Sequence, residues 1–351
     1  MDSTVHRLVK IYGLDEGLQR ARQQGCEPRL LEVARRFYEA GELDLGVNYA
    51  GLCILNLPHR PLPKPETVWL RELKRTAFSC KLIIEPGMLD IGGSVQRFGV
   101  PYGVTGRLIL LYLQKQALVS GTREIELGGT MYEWMKRLGV GLGGKDYKHV
   151  REQMFRISAC SLRFLWGGQD ETGAVMSGWK KDSIIEEGIL MIGRDGDEQQ
   201  PVLWRERIVL SATFFEALRE RPVPIDLNAV RAINYSSRVL DIYIWLAYRL
   251  HTLKRPMKVT WPMLREQFGE PEHRLDRFRD RFSDALKIAL HVYPTAKVEV
   301  DASALILYPS PPAVPERPML RVVAPSHLAE GGVSLSFSRS ARADRKILAE
   351  E

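Results

Sequence analysis

From Tyr102 to Leu165 the apolar positions change their spacing in a fixed succession. Tyr102 to Val119 is apolar on nearly every side and predicts a buried helix, and Glu124 to Leu127 follows as a short strand. Thr130 to Leu138 has helical spacing, a glycine loop interrupts it, and Lys145 to Cys160 resumes as a helix rich in basic residues before a further strand. Helix, strand, helix, helix, strand is the order of a winged helix-turn-helix. Its last helix can enter a DNA major groove, and the strands beyond form the wing.

The same pattern returns further along the chain. Arg107, Leu108, Leu111, Tyr112 and Leu113 recur as Arg238, Val239, Ile242, Tyr243 and Ile244, an offset of 131. Met131, Leu138 and Gly139 recur as Trp261, Phe268 and Gly269 at an offset of 130, and Val150 and Met154 as Phe278 and Phe282 at 128. A nearly constant offset across three consecutive elements reads as a tandem duplication. The expected fold class is therefore α+β, tandem winged-helix domains with an N-terminal extension.

The boundaries follow from the breaks between these patterns. Residues 1–98 form an extension or subdomain, in which Arg29 to Ala40 is an amphipathic helix and Ala77 to Glu85 a strand, separated by the proline-rich LPHRPLPKPE of residues 57–66. Residues 99–206 make the first winged-helix domain and 207–310 the second. Residues 311–351 open with PPAVPERP, the greater part of the proline-rich PSPPAVPERP of residues 309–318, and continue as a polar stretch, expected to be a linker and a disordered tail.

Two helices carry the candidate chemistry. In the first, Val150, Met154 and Ile157 share one arc, while Lys145, Lys148, Arg151 and Arg156 spread over the opposite side. Phe155 sits among these polar residues and lacks an explanation within its own helix. In the second, Leu275, Phe278, Phe282, Leu286 and Ala289 form a continuous apolar stripe, with Arg274, Arg277 and Arg281 beside one another on the exposed side. Arginine bonds guanine bidentately or grips phosphate, so the second helix is the better candidate for reading sequence. The plainer alternative for both is a solvated charged face.

Composition narrows the classes of function. A net charge of +7 from 50 basic and 43 acidic side chains permits nucleic acid as a partner without requiring it. The four cysteines, Cys26, Cys53, Cys80 and Cys160, form no CxxC pair, which excludes a zinc ribbon and a thioredoxin-like motif. The chain begins without the apolar segment of a signal peptide, and no run is long enough to span a bilayer, so a soluble cytoplasmic protein is expected. Gly139, Gly144 and Lys145 approach a phosphate loop, but a helix precedes them and Asp146 replaces the hydroxyl that would hold magnesium. Asp195 and Asp197, beside Glu198, read as a solvated loop tip and not as metal ligands. The seven histidines include no HxH pair, as a rolling-circle nuclease would need, and the acidic clusters lie on turns. The expectation is a protein that is not an enzyme and uses no cofactor or metal.

LPHRPLP, the EPG of residues 85–87, VPYGVTGRLILLYLQKQAL, REIELGGTMYEWMKRLG, GGKDYKHVREQMFRISACSLRFLW and LDIYIWLAYRL together resemble the plasmid-encoded RepA family of replication initiators. The resemblance covers roughly residues 50–310. It implies paired winged-helix domains that bind repeated double-stranded DNA sites at a plasmid origin, promote its opening and recruit host replication initiation or helicase proteins. A homodimer and repression of the protein's own promoter are further expectations. The competing class is a tandem winged-helix transcriptional regulator without a replication role.

Overall fold

The computed structural model describes residues 4–74, 78–169, 175–189, 207–269 and 274–314. It opens with three helices, α1 (Thr4–Tyr12), α2 (Leu14–Gln23) and α3 (Pro28–Glu39), which enclose a small core of Val5, Leu8, Val9, Leu18, Ala21, Leu31 and Ala34. Gly17 lets α2 cross α1 closely, because a Cβ there would lie 2.5 Å from the Val9 Cα. The other side of α3 sends Val33, Leu30 and Phe37 into the main body. Strand β1 (Leu45–Tyr49) runs directly into the short helix α4 (Ala50–Ile54). After the LPHRPLP loop come β2 (Trp69–Lys74), β3 (Phe78–Glu85) and the hairpin β4 (Gly87–Ile91) with β5 (Ser94–Phe98).

The central helix α5 (Gly103–Ser120) is buried on all sides through Leu108 to Leu113, as its pattern requires. Next are β6 (Glu124–Glu126) and α6 (Met131–Leu138), whose N-terminus is capped by the Thr130 hydroxyl accepting from the Glu133 amide at 3.1 Å. The basic helix α7 (Gly144–Ala159) precedes β7 (Ser161–Gln169), β8 (Val175–Ser183), β9 (Ile185–Ile189), β10 (Arg207–Leu210) and α8 (Ala212–Glu220). Strands β6 and β9 flank β10 in one antiparallel sheet. Strands β7 and β8 leave that sheet and join the N-terminal strands in the order β2-β3-β7-β8.

The second half begins with β11 (Pro222–Asp226) and α9 (Leu227–Ala232), again a strand running into a short helix. Then come α10 (Ser237–Arg249), β12 (Met257–Thr260), α11 (Trp261–Phe268), α12 (Leu275–Leu290), β13 (Val298–Val300) and β14 (Ala304–Leu307). Here β12 and β13 flank β14. The succession α5-β6-α6-α7-β9-β10 is thus repeated as α10-β12-α11-α12-β13-β14, with the last strand central in both sheets. Residues spaced by the offsets seen in the sequence occupy equivalent elements. The molecule is a mixed helix and sheet protein built on this repeat.

Two expectations about boundaries are corrected. Residues 1–98 do not stand apart, because β3 lies in register with β7, Leu82 opposite Phe164 and Ile84 opposite Leu162. The first half does not end at 206 either, since β10 is the middle strand of its sheet and Phe214 and Phe215 of α8 complete its core. Both boundaries were drawn at proline- or glycine-rich stretches, and the strands pair across those stretches. The stretch after α7 was expected to be a wing or an irregular hairpin, and its described part is the hairpin of β7 and β8, which pairs with β3. The Asp195, Asp197 and Glu198 turn and residues 315–351 of the tail lie outside the described residues.

The halves are joined by strand pairing and a shared core. Strands β1 and β11 pair antiparallel, Leu45 opposite Asp226 and Tyr49 opposite Pro222. Leu108 and Leu111 of α5 and Cys53 of α4 lie in one apolar cluster with Ala229, Val230 and Tyr243 of the second half.

Candidate nucleic-acid interface

Helix α7 buries Val150, Met154 and Ile157 against α5 and α6, the arc expected from its spacing. Lys145 and Lys148, at its N-terminal end, are exposed. Arg151 is half-buried, with its guanidinium 5.6 Å from the centre of the Phe155 ring. Arg156 departs from the expected set. Its Nε and Nη2 donate to Glu152 Oε1 at 3.0 and 2.6 Å, its Nη1 donates to the Val100 carbonyl at 3.1 Å, and it stacks on Tyr102 at 5.0 Å. With its side chain 16% exposed, Arg156 braces α7 against the segment that leads into α5.

The β4–β5 hairpin accounts for Phe155. Phe98 packs on its ring at 5.2 Å between centres, so Phe155 is buried although its own helix offers no apolar neighbour on that side. The fit is close, since a Cβ on Gly87 would lie 1.9 Å from the Ala159 carbonyl oxygen. The hairpin therefore covers the C-terminal half of the face that also carries Lys148 and Arg151, leaving the N-terminal half open. At the N-terminus of α7 the Asp146 carboxylate accepts from the Gly143 amide at 3.3 Å. That carboxylate occupies the place where a bound phosphate would sit, and α6 precedes the loop where a strand is needed, so the phosphate-loop resemblance has no structural counterpart.

Helix α12 presents a different surface. Phe278, Phe282, Leu286 and Ala289 are buried, while Arg274, Arg277 and Arg281 are exposed. Arg274 donates to both oxygens of Asp276 at 3.1 and 2.5 Å, which depresses the Asp276 carboxyl and raises the guanidinium; the pair is fully exposed and worth little to stability. Arg279, which the sequence reading passed over, is also exposed and lies 4.0 Å from Asp280. Lys258 on β12 and Lys136 and Arg137 on α6 are further exposed cations outside the predicted set. Their signal is weak, because single basic residues on short elements are common on any surface.

Among the described residues, no group of three or more His, Cys, Asp or Glu side chains is placed to hold a metal. Cys53 and Cys160 are buried thiols whose pKa burial raises, to about 12 for Cys160. No helix of the described residues is long and apolar enough to cross a membrane.

A repeated helix, strand, helix, helix, strand, strand unit with an exposed basic helix in third place defines the class of this chain. Residues 100–262 match the family model described as plasmid encoded RepA protein, which supports the resemblance to the RepA replication initiators. The match supports a role in replication initiation. No curated protein matches the chain. Two solved structures of domains 2 and 3 of RctB are similar to it. One, a selenomethionine derivative, shares 11% identity at a TM-score of 0.46, covering 72% of this chain and 94% of that one. The other shares 10% identity at 0.42, covering 73% and 95%.

Proposed function

We propose that the two repeated units are winged helices and that the protein is a plasmid replication initiator acting on repeated double-stranded sites at an origin. The observation that carries this reading is the repetition itself. The same element order and the same sheet order occur twice, the initiator-family match spans the first copy and the second as far as the start of α11, and each copy leaves cations exposed on its third helix. Helix α12 enters a major groove with Arg277 and Arg281 towards the bases, and α7 enters with its N-terminal end, where Lys145 and Lys148 meet phosphates. Binding of several copies to adjacent repeats strains a flexible A·T-rich segment towards opening, and host replication proteins are recruited to it. The protein is not an enzyme in this reading. A transcriptional regulator of the same build is the competing reading, and plasmid maintenance in a host separates the two.

The test is fluorescence anisotropy of the full chain on duplexes from upstream of its own gene and on a scrambled control, across a salt series. Each neutralised phosphate contributes about −0.9 to the slope of log K against log salt. The upstream DNA should bind more tightly and keep its advantage as salt rises. Arg277→Ala with Arg281→Ala should reduce specific binding by roughly tenfold or more, at about 1–3 kcal/mol for each lost base contact. Equal, weak binding to both duplexes would refute the reading.

A further inference from the structure

We infer that the junction between the two halves is a spacing device, which fixes the separation and helical phase of α7 and α12 so that one chain accepts its two half-sites at a single separation. The inference rests on the DNA-binding reading above and deepens it. Its observation is a reciprocal arrangement, in which each half holds the residue that ends the other half's second helix. Asn234, just beyond α9, donates to the carbonyl of Gly139 at 2.8 Å, in the turn between α6 and α7. Arg71 of β2 donates to the carbonyl of Gly269 at 2.6 Å, at the C-terminal end of α11, and Gln267 of α11 donates to the Ile54 carbonyl of α4 at 2.9 Å.

These ties close around a pinned centre. Arg107 of α5 donates through Nε and Nη2 to the two oxygens of Asp241 on α10 at 2.6 and 2.7 Å, with both side chains buried. Its remaining capacity goes to the carbonyls of Leu57, Pro58 and Gly103. Towards the start of β1, Asp44 accepts from Lys115 of α5 and from Arg231 of α9. Ordinary inter-domain contacts are polar and permit relative motion. Here rotation of one half against the other would break a buried bidentate ion pair, a strand pair and a common apolar core.

The consequence lies in the DNA. Each inserted base pair moves a half-site by about 3.4 Å and turns it by roughly 35°, so a fixed pair of helices loses one contact surface after one or two insertions. A pair joined by a flexible tether would recover when about ten base pairs restore the phase.

The experiment starts from a randomised duplex pool selected with the full chain, followed by footprinting to define the two halves. Duplexes with one, two, five and ten base pairs inserted between the halves are then compared at one salt concentration. We expect at least a tenfold loss at two insertions and no recovery at ten. Arg107→Met with Asp241→Leu and Asn234→Ala, which removes the buried pair and one reciprocal tie without burying a charge, is checked for folding by circular dichroism and melting and should cut that discrimination at least threefold and leave binding to an isolated half-site unchanged. Wild-type tolerance of insertions, recovery at ten, or undiminished discrimination by the folded variant would each overturn the spacing device while leaving DNA binding intact. Failure to enrich any duplex would instead overturn the DNA-binding reading, and the spacing device with it.

Discussion

Replacing Arg107 with alanine removes the donor side of the buried pair and leaves the Asp241 carboxylate enclosed at 5% exposure. Burial pushes the Asp241 carboxyl above its ordinary range and the Arg107 guanidinium pulls it back, so without Arg107 burial is opposed only by the weaker influence of Arg71 and Arg238. Removing one partner of a buried ion pair costs about 3–5 kcal/mol. The Leu57 and Pro58 carbonyls lose a charged donor at the same time, 2.7 and 3.2 Å away in the native structure. The reverse change, Asp241→Leu, strands a guanidinium that still keeps three carbonyl acceptors, and it should cost less. The double variant Arg107→Met with Asp241→Leu buries no charge and should cost less than Arg107→Ala alone. Urea unfolding followed by tryptophan fluorescence reads the difference as a midpoint shift of about 1–2 M for Arg107→Ala, at a slope of about 3 kcal/mol/M. If the double variant costs the sum of the two single changes, the ion pair is not what joins the halves.

Gly87→Ala should destabilise the protein by about 1–3 kcal/mol by forcing the β4–β5 hairpin off α7, seen as faster proteolysis in residues 87–98. Arg156→Ala should lower the melting temperature and leave the salt slope of DNA binding unchanged, because its guanidinium is engaged within the protein. His6 lies between the Tyr38 hydroxyl and the His291 ring, beside Arg7 and Lys10, and burial, then the neighbouring His291, lower its pKa to about 4. The unfolded chain takes up this proton near 6.5 and the folded chain near 4. The contribution to stability is therefore full above pH 7 and falls as pH drops from 6.5 towards 4, by up to about 1.4 kcal/mol per unit. Hydrogen exchange of α1 and α3 at pH 7.5 and pH 5 should show the loss in the wild type and not in His6→Gln.

Local spacing made α5, α6, α7, α10 and α12 legible within a residue or two, because each carries its own apolar face. The repeat was legible for the same reason, as Val150 and Phe278, or Leu138 and Phe268, bury the same positions of equivalent helices. What was hidden depends on pairing across long separations. Nothing near Leu45 announces β11 as its partner, and nothing near Arg107 announces Asp241, 134 residues on, as its own. The Val100 carbonyl and the Tyr102 ring that hold Arg156 are invisible to a helical projection. Helices α1 and α2 were passed over because both are short and α2 is mostly polar, their shared core emerging only when α3 closes it.

The pairing of Leu45 with Asp226 also orders events during synthesis. Strand β1 leaves the ribosome early and must wait for β11, which at about 5–20 residues per second takes roughly ten to thirty-five seconds. Until then the core around α5 lacks the α10 side that closes it. A nascent chain interrupted before β11 leaves Leu108 and Leu111 without the second-half residues that cover them, so the junction between the halves closes in a single step, late in translation.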